Sequence, residues 1–398
     1  MTPGDQIIYM DHAATTPVRP EVVEAMHPYL HERYGNPSSV YSLARESREV
    51  VESSRETVAR ALGAELGEIY FTSGGTESDN WALKGVASAN RKAGDHIITS
   101  AIEHHAVLHP AEYLERHGFR VTYLPVDSYG MVDPGELEDA ITPQTILISI
   151  MTANNEIGTI QPVREIGSLA QDHGVPFHTD AVQAVGHIPL SVKDDRIDLL
   201  SLSAHKFSGP KGAGVLYLRK GTRIDPLFHG GAQERKRRAG TENLAGIVGL
   251  AAALDIAVKE MPEEAERQRN LRDRLIRGIL GTVPFTRLNG HPTERLPGNV
   301  NVSVEFVEGE SMLLRLDREG ICASTGSACT SGSLEPSHVL KAIGLPPEVA
   351  HGSLRLTLGE RNTPEEVEKV LEVIPGVVER LRAISPLYPT GEEKKHVQ

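Results

Sequence analysis

Short runs of apolar and β-branched residues alternate with amphipathic stretches along the first half of the chain. The runs have the length of buried strands, and the stretches between the earlier runs are typical of helices. Strands that alternate with helices indicate βαβ units and a mostly parallel sheet. The predicted helices are Glu77–Asn90, Ala106–His117, Pro134–Ala140 and Val163–His173. The seven predicted strands are Glu68–Thr72, His96–Ser100, Val121–Pro125, Thr145–Met151, Val175–Thr179, Leu199–Ser203 and Gly214–Leu218.

The pattern changes after the last of these strands. A long helical stretch begins near Asn243 and runs towards Leu280, and Pro262 is expected to kink or split it. Beyond it, the pattern indicates a smaller α+β unit with the strands Asn299–Phe306, Ile321–Ser324 and Leu354–Leu358 and the helices Glu310–Glu319 and Glu365–Ala383.

These changes predict the domain organisation. The fold class is α/β, with a mostly parallel seven-stranded sheet in a large domain and a smaller α+β domain. We expect the large domain to comprise residues 16–262 and the small domain residues 1–15 and 263–385. Residues 386–398 are polar and are expected to form a loose tail.

Composition narrows the class of protein. The 398 residues include 41 lysines and arginines against 54 aspartates and glutamates, so the formal net charge is −13. This balance argues against binding nucleic acid or an anionic membrane surface. No apolar stretch approaches the roughly 20 residues of a spanning helix, and no secretory signal is recognisable. With two cysteines there is no disulfide framework, which favours an enzyme of a reducing, cytoplasmic compartment.

Three motifs follow predicted strands, where ligands bind in sheets of this kind. Phe71–Ser78 leads from a strand through a Ser/Gly/Thr turn into a helix, an arrangement that suits a phosphate. Asp180 ends one strand, and Lys206 follows another. Each has a plain alternative, since Thr76 or Asp180 could be an ordinary helix N-cap and Lys206 an exposed loop lysine.

Together the three motifs indicate one cofactor. Pyridoxal 5′-phosphate uses a lysine for its Schiff base, an acidic partner for its pyridinium nitrogen and an anchor for its phosphate. Lys206, Asp180 and the turn at residues 71–78 supply these groups.

The two cysteines have different surroundings. Cys329 lies among small, flexible residues, so its thiol is expected to be accessible and reactive. Cys322 lies in a predicted apolar strand and is interpreted as a small core residue.

These motifs resemble those of the cysteine desulfurases of the class V aminotransferase family, in the group with a long cysteine loop that includes the nitrogen-fixation and iron–sulfur-assembly enzymes. The resemblance extends from about Tyr9 to Tyr388. It rests on Asp11–Pro17 (DHAATTP), Gly35–Ser38 (GNPS), Thr72–Asn80 (TSGGTESDN), Glu103-His104, Asn154–Gly158 (NNEIG), Asp180–Gln183, Ser203–Lys206 (SAHK), Arg238–Asn243 (RAGTEN) and Thr325–His338 (TGSACTSGSLEPSH).

The resemblance implies fold type I of the pyridoxal-phosphate enzymes, a homodimer, and conversion of L-cysteine to L-alanine with transfer of sulfur. It implies Lys206, His104 and the persulfide-forming Cys329 as catalytic residues. Arg355, Asn155 and Asn36 would bind the substrate. The cofactor would be held by Gly75, Thr76, His104, Asn155, Asp180, Gln183, Ser203, His205 and Lys206, joined by Thr241 of the other subunit.

Other functions remain open at this point. A selenocysteine lyase or another class V pyridoxal-phosphate enzyme would share most of these residues, and a non-catalytic sulfur-trafficking scaffold would share the fold. The resemblance implies an iron–sulfur scaffold or another acceptor protein as partner, with Cys329 as a transient iron–sulfur ligand. It does not identify the acceptor, because the tail after Tyr388 differs from that of the housekeeping members.

Overall fold

The structure, a computed structural model, describes residues 7–325 and 336–389. The first part of the chain forms β1 (Ile8–Tyr9), α1 (Pro20–Met26), α2 (Pro28–His31), α3 (Ser42–Leu62), β2 (Ile69–Thr72), α4 (Gly75–Asn90), β3 (His96–Ser100), α5 (His105–Arg116), β4 (Arg120–Leu124), α6 (Pro134–Ala140), β5 (Thr145–Ser149), α7 (Val163–Asp172), β6 (Phe177–Asp180), β7 (Leu199–Ser203) and β8 (Gly214–Leu218). The second part forms α8 (Gln233–Lys236), α9 (Leu244–Thr282), β9 (Thr286–Leu288), β10 (Asn299–Val304), α10 (Gly309–Arg318), β11 (Ile321–Cys322), α11 (His338–Ala342), α12 (Pro347–Ala350), β12 (Ser353–Thr357) and α13 (Pro364–Arg382).

A seven-stranded sheet with the spatial order β2-β8-β7-β6-β5-β3-β4 organises the larger part of the molecule. Strands β3 to β7 pair in parallel, and only β8 runs antiparallel to its neighbours β2 and β7. The predicted mostly parallel sheet of seven strands is therefore confirmed. The fifth predicted strand, observed as β6, begins at Phe177 rather than at Val175, because Pro176 has no N–H for the ladder.

Helices cover both faces of this sheet, which is why its inner strands are buried along their whole length. One face packs against α3 and α9, including Leu62 and Leu254. The other face packs against α4 and α5, including Trp81 and Leu114. The sheet and its two helical layers form a three-layer core.

The second part of the chain forms two small sheets. Strands β12, β10 and β9 pair antiparallel, and β1 pairs in parallel with β11, which brings the start of the chain into this unit. Their apolar core packs against α10 and α13. The predicted smaller α+β unit is present, whereas the strands β1 and β9 and the helices α1 to α3, α8, α11 and α12 were not predicted.

Helix α9 belongs to both cores. Leu250 and Leu254 pack on the seven-stranded sheet, and Leu271 and Leu275 pack on the small sheets. Pro262 does not split the helix, since both halves are fixed by packing on either side. The predicted boundary at residue 262 falls inside α9, and the division into residues 16–262 and 263–385 stays a prediction.

The described residues contain no helix that combines the length and the apolar character needed to cross a bilayer.

Candidate active site

A cavity of about 280 Å³ lies at the carboxyl edge of the seven-stranded sheet. Strands β6 and β7 end at this edge, and α4 and α5 begin beside it, because the carboxyl ends of parallel strands lie on the same side. Two segments outside the large sheet complete the wall: the loop after β1, and β12 of the small sheet. Its lining residues are Ala13, Ala14, Gly75, Thr76, Asp79, His104, Met151, Ala153, Asn155, Asp180, Val182, Gln183, Ser203, His205, Lys206 and Arg355.

The first turn of α4 forms one wall and offers backbone N–H groups to an anion. Gly74 precedes the helix with φ 152°, a conformation that favours glycine. The loop also approaches β8 so closely that a Cβ on Gly214 would lie 2.5 Å from the Cα of Gly74. Gly74, not Thr76, occupies the N-cap position, so the alternative of Thr76 as the helix cap is wrong.

Asp180 lies in the floor of the cavity, at the last position of β6. One carboxylate oxygen, Oδ1, accepts a hydrogen bond from the backbone N–H of Val182 at 2.9 Å. Burial raises the pKa of Asp180 to about 6, although this hydrogen bond and the charge of Lys206 act in the opposite direction. The carboxyl group therefore favours a cationic partner in the cavity.

Lys206 reaches the cavity from a short turn, Ala204–Lys206, that follows β7. Its Nζ donates hydrogen bonds to the carbonyl oxygens of Ala13 and Ala14, at 2.5 and 2.9 Å. The side-chain amide of Gln183 donates to the same Ala13 oxygen at 3.0 Å. The loop after β1 is thus held across the cavity by the lysine and the glutamine.

Two histidines in the wall are neutral. His104 is the N-cap of α5, and its Nδ1 accepts from the backbone N–H of Ala106 at 3.1 Å, which leaves the ring proton on Nε2. Burial and the neighbouring Lys206 lower the pKa of His104 to about 4. The pKa of His205 is also lowered to about 4 by burial and nearby lysines, and its Nδ1 lies 3.1 Å from Oγ1 of Thr15.

Arg355 extends into the cavity from β12 and is a paired cation. Its Nη2 donates to a carboxylate oxygen of Asp11 at 2.8 Å, and its Nη1 to the carbonyl of Asn155 at 3.0 Å. The Nε of Arg355 is buried and has no hydrogen-bond partner within residues 7–325 and 336–389. A planar guanidinium fixed in this way suits recognition of a carboxylate.

The structure brings most of the predicted site residues together, with three exceptions. Thr241 and Asn36 are exposed and do not line the cavity of this chain, and the side chain of Asn36 accepts from the N–H of Ser38. Cys329 lies outside the described residues. The other cysteine, Cys322, is half-buried in β11, and burial raises the pKa of its thiol.

The predicted iron–sulfur ligation by Cys329 also lies outside the described residues. Within them, no group of three or more His, Cys, Asp or Glu side chains is arranged to hold a metal ion.

Several residues at the cavity lie in motifs that the sequence singled out but were given no role. They include Asp11, which pairs with Arg355 behind the wall, and the carbonyls of Ala13 and Ala14, whose role depends on tertiary contact. Asp79 was also missed, although it carried a signal. It is a carboxyl on the buried face of α4, beside Ser78 and Ala82, where a solvent-facing acid would not be expected.

Comparison with known proteins defines the class of this site. A model of the family "Aminotransferase class-V" matches residues 8–370. A cysteine desulfurase IscS of Methanosarcina thermophila is 63% identical over 385 residues, which cover 97% of this chain and 95% of that protein.

Solved structures agree with this assignment. A structure described as a NifS-like protein matches with a TM-score of 0.89 and 42% identity, covering 94% of this chain and all of that one. A structure described as SspA in complex with cysteine matches with a TM-score of 0.79 and 40% identity, covering 88% of this chain and 98% of that one. The chain therefore belongs to the class V aminotransferase family and, within it, to the cysteine desulfurases.

Proposed function

We propose that this chain is a pyridoxal 5′-phosphate-dependent cysteine desulfurase that converts L-cysteine to L-alanine and passes the sulfur to an acceptor protein. The observation that carries the proposal is one cavity in which Lys206, Asp180, His104 and Arg355 meet the amide-rich start of α4. Amine, acid, imidazole and guanidinium are the groups that this cofactor and an amino-acid substrate require together.

The wall of the cavity fits the cofactor. A Cβ on Gly74 would stand 3.6 Å from Oγ of Ser203, so a side chain at this position would enter the space between that hydroxyl and the helix start, where the phosphate would lie. The N–H groups of Gly75 and Thr76, with Ser203 and His205, would hold the phosphate there. Asp180 would face the ring nitrogen and Lys206 the aldehyde carbon. His104 would lie over the ring, and Asn155 and Gln183 beside its phenolic oxygen.

When bound, pyridoxal phosphate draws electrons from the α-carbon of an amino acid attached to it. Arg355 would hold the carboxylate of cysteine, with Asn155 beside it and with Asn36 as a further candidate. The amine of Lys206 would take the α-proton of the substrate and return a proton to the product. Asp180 would keep its negative charge against the ring nitrogen throughout.

Cys329 would act as the nucleophile towards the sulfur of the bound cysteine. Its thiolate forms an S–S bond as the carbon–sulfur bond of the substrate breaks, and the electron pair of that bond ends as the new C–H bond of alanine. One cysteine and one thiol thus become one alanine and one persulfide, and no external oxidant or reductant is needed.

We infer further that the working unit is a cytoplasmic homodimer. Arg238 binds Glu77 of α4 through two hydrogen bonds of 2.8 and 3.1 Å, which fixes one end of the loop that carries Thr241, while Thr241 itself is exposed and outside the cavity of this chain. In a dimer, Thr241 would complete the phosphate site of the partner subunit. The proposed acceptor is an iron–sulfur scaffold protein, to which Cys329 would carry sulfur and would act as a transient cluster ligand.

The lysine assignment is tested with Lys206→Ala and borohydride. Reduction of the loaded wild-type chain should fix the cofactor to the peptide that contains residue 206, as seen by mass spectrometry, and the variant should be unlabelled and form no alanine. Labelling at another lysine, or steady turnover by the variant, would overturn the assignment. Lys211→Ala is the matched control, since Lys211 follows in the next turn and does not line the cavity.

The nucleophile is tested with Cys329→Ala against Cys322→Ala. The first variant should still bind cofactor and cysteine but should accumulate no persulfide on the chain. The second should form persulfide as the wild type does. Persulfide on Cys322 would contradict the proposal.

A further inference from the structure

A second carboxyl group, that of Asp79, lies in the wall of the same cavity. Asp79 belongs to the second turn of α4 and is 1% exposed. It lines the cavity with Asp180, and its Oδ1 has no hydrogen-bond partner among the described residues. The function proposed above gives this group no role.

The nearest basic side chain does not neutralise Asp79. Nε2 of His178 lies 3.5 Å from Oδ1 of Asp79. The same Nε2 lies 3.0 Å from the hydroxyl of Ser201, and Nδ1 lies 2.8 Å from the hydroxyl of Ser149. The ring is completely buried, and burial lowers the pKa of His178 to about 3, so the ring carries no positive charge.

The charged groups that act on Asp79 through space are acidic. They are Asp180 at the end of β6 and Glu103 in the loop before α5, while the hydroxyl of Ser201 on β7 hydrogen-bonds the Asp79 side chain. The positive charge of Lys206 acts on Asp180. Burial and the adjacent Asp180 raise the pKa of Asp79 well above its usual range. A buried carboxylate without a cationic partner is strongly unfavourable, and two close carboxyls do not both ionise readily.

We propose that Asp79 is a positioning residue that remains a neutral carboxylic acid in the same wall as Asp180, so that the pair presents a single negative charge to the ring nitrogen of the cofactor. The inference rests on the proposed function for the identity of that cofactor. The acid group of Asp79 acts through Asp180: its dipole stabilises the charge on Asp180 and lets the proton reside on the ring nitrogen. With both carboxyls ionised, the pair would carry a second, uncompensated charge into a buried wall.

The protonation state is tested by infrared spectroscopy of the full-length chain, before and after loading with pyridoxal phosphate. At pH 7 we expect Asp79→Asn to lose one band in the C=O stretching region of protonated carboxylic acids. Glu103→Gln is the matched control, because Glu103 is also a buried acid with a raised pKa and should lose a different band. A wild-type spectrum from which Asp79→Asn removes no acid band would overturn the proposal. If Asp79→Asn does not fold, Asp79→Ala must show the same loss.

The positioning role is tested by the pH profile of the absorption of the bound cofactor. Asparagine keeps a neutral hydrogen-bonding group, so Asp79→Asn should leave the midpoint unchanged and the cofactor dissociation constant within about threefold of wild type. Asp79→Ala removes that group and should move the midpoint by about one pH unit. Equal profiles for the alanine variant and the wild type would overturn the positioning role.

These experiments separate the two proposals. If the wild-type chain binds no pyridoxal phosphate, the proposed function fails, whereas the infrared band of the unloaded chain still reports on Asp79. If the cofactor binds and Asp180→Asn alters its absorption while the infrared test fails, only the inference about Asp79 is lost.

Discussion

The floor and the roof of the cavity are built in different ways. The floor consists of Asp180, Ser203 and the start of α4, each at or next to the end of a strand of one sheet. The roof consists of the loop Asp11–Thr16 and of Arg355, which meet although Asp11 and Arg355 are 344 residues apart in the chain. A floor of this kind follows from local sequence, while the roof exists only once the small sheets have packed beside the large one.

The two regions also treat charge differently. The acids of the floor and of the loop beside it are buried, and burial raises the pKa of Asp180 to about 6 and that of Glu103, in the loop before α5, to about 8. In the roof the charged side chains form a salt bridge, in which Nη2 of Arg355 lies 2.8 Å from Oδ1 of Asp11. Substitutions in the floor should therefore change the rate of the chemical step and its dependence on pH. Substitutions in the roof should change the affinity for the substrate and the stability of the fold.

The largest effect is expected in the floor, for Asp180→Asn. Loss of its negative charge should lower kcat for alanine formation by about 10²–10³-fold, the size of effect seen when one preorganised electrostatic group is removed from an enzyme. Steady-state alanine production measures it. Asp95→Asn, an exposed carboxyl on the same large unit, is the control and should match wild type. A variant of Asp180 with wild-type kcat would refute the distinction between floor and roof.

In the roof, Arg355→Lys should raise KM for cysteine by roughly 10- to 100-fold with a smaller change in kcat. Lysine keeps the charge but not the planar fork that binds a carboxylate through two hydrogen bonds. Arg382→Lys is the matched control, since Arg382 is a largely buried arginine that donates to backbone carbonyls at the far side of the small unit. If only kcat changed, Arg355 would contribute to the chemical step, as the floor residues do, rather than to substrate affinity.

A smaller effect is expected for Asp11→Asn, the partner of Arg355 in the roof. The substitution removes the carboxylate that pairs with the buried guanidinium of Arg355. It should therefore lower the free energy of unfolding by about 1–3 kcal/mol, measured by urea denaturation. The exposed pair of Asp95 with Arg120 provides the comparison, and Asp95→Asn should change stability very little. Equal losses for the two variants would show that burial of the roof pair adds nothing.

A pH-dependent effect on stability is expected at Glu103. The folded chain holds a proton on this carboxyl that the unfolded chain releases above its ordinary value near 4.5, because burial raises the pKa of Glu103 to about 8. Its contribution to stability is therefore complete below about pH 4.5 and is lost as the pH rises through 8.

The Glu103→Gln variant should show a flatter fall of the thermal midpoint between pH 5 and pH 8.5 than the wild type. Its Oε1 can still accept from Ser100 and from the N–H of Met151, so the variant should fold. A parallel fall in both proteins would mean that Glu103 is ionised in the folded chain.

Much of the floor could be predicted from the sequence. Asp180 and Lys206 follow apolar runs whose length and composition indicate buried strands, and parallel strands bring their carboxyl ends together. Pairing of Asp11 with Arg355, and the contacts of Lys206 with Ala13 and Ala14, could not be predicted in this way. They depend on how two separately packed units meet, and no local pattern encodes that geometry.

The seven strands, their mostly parallel pairing in one sheet and the chemical groups at their ends follow from the amino-acid sequence alone. Apolar periodicity and strand-end position are local properties, and burial follows from them directly. The order of the strands in the sheet, the unbroken path of α9 through Pro262, the closure of the cavity by the loop after β1 and the neutral state of His104 become visible only in the folded chain. These outcomes depend on desolvation and on contacts between residues far apart in the chain, so they arise only when the two cores pack against each other.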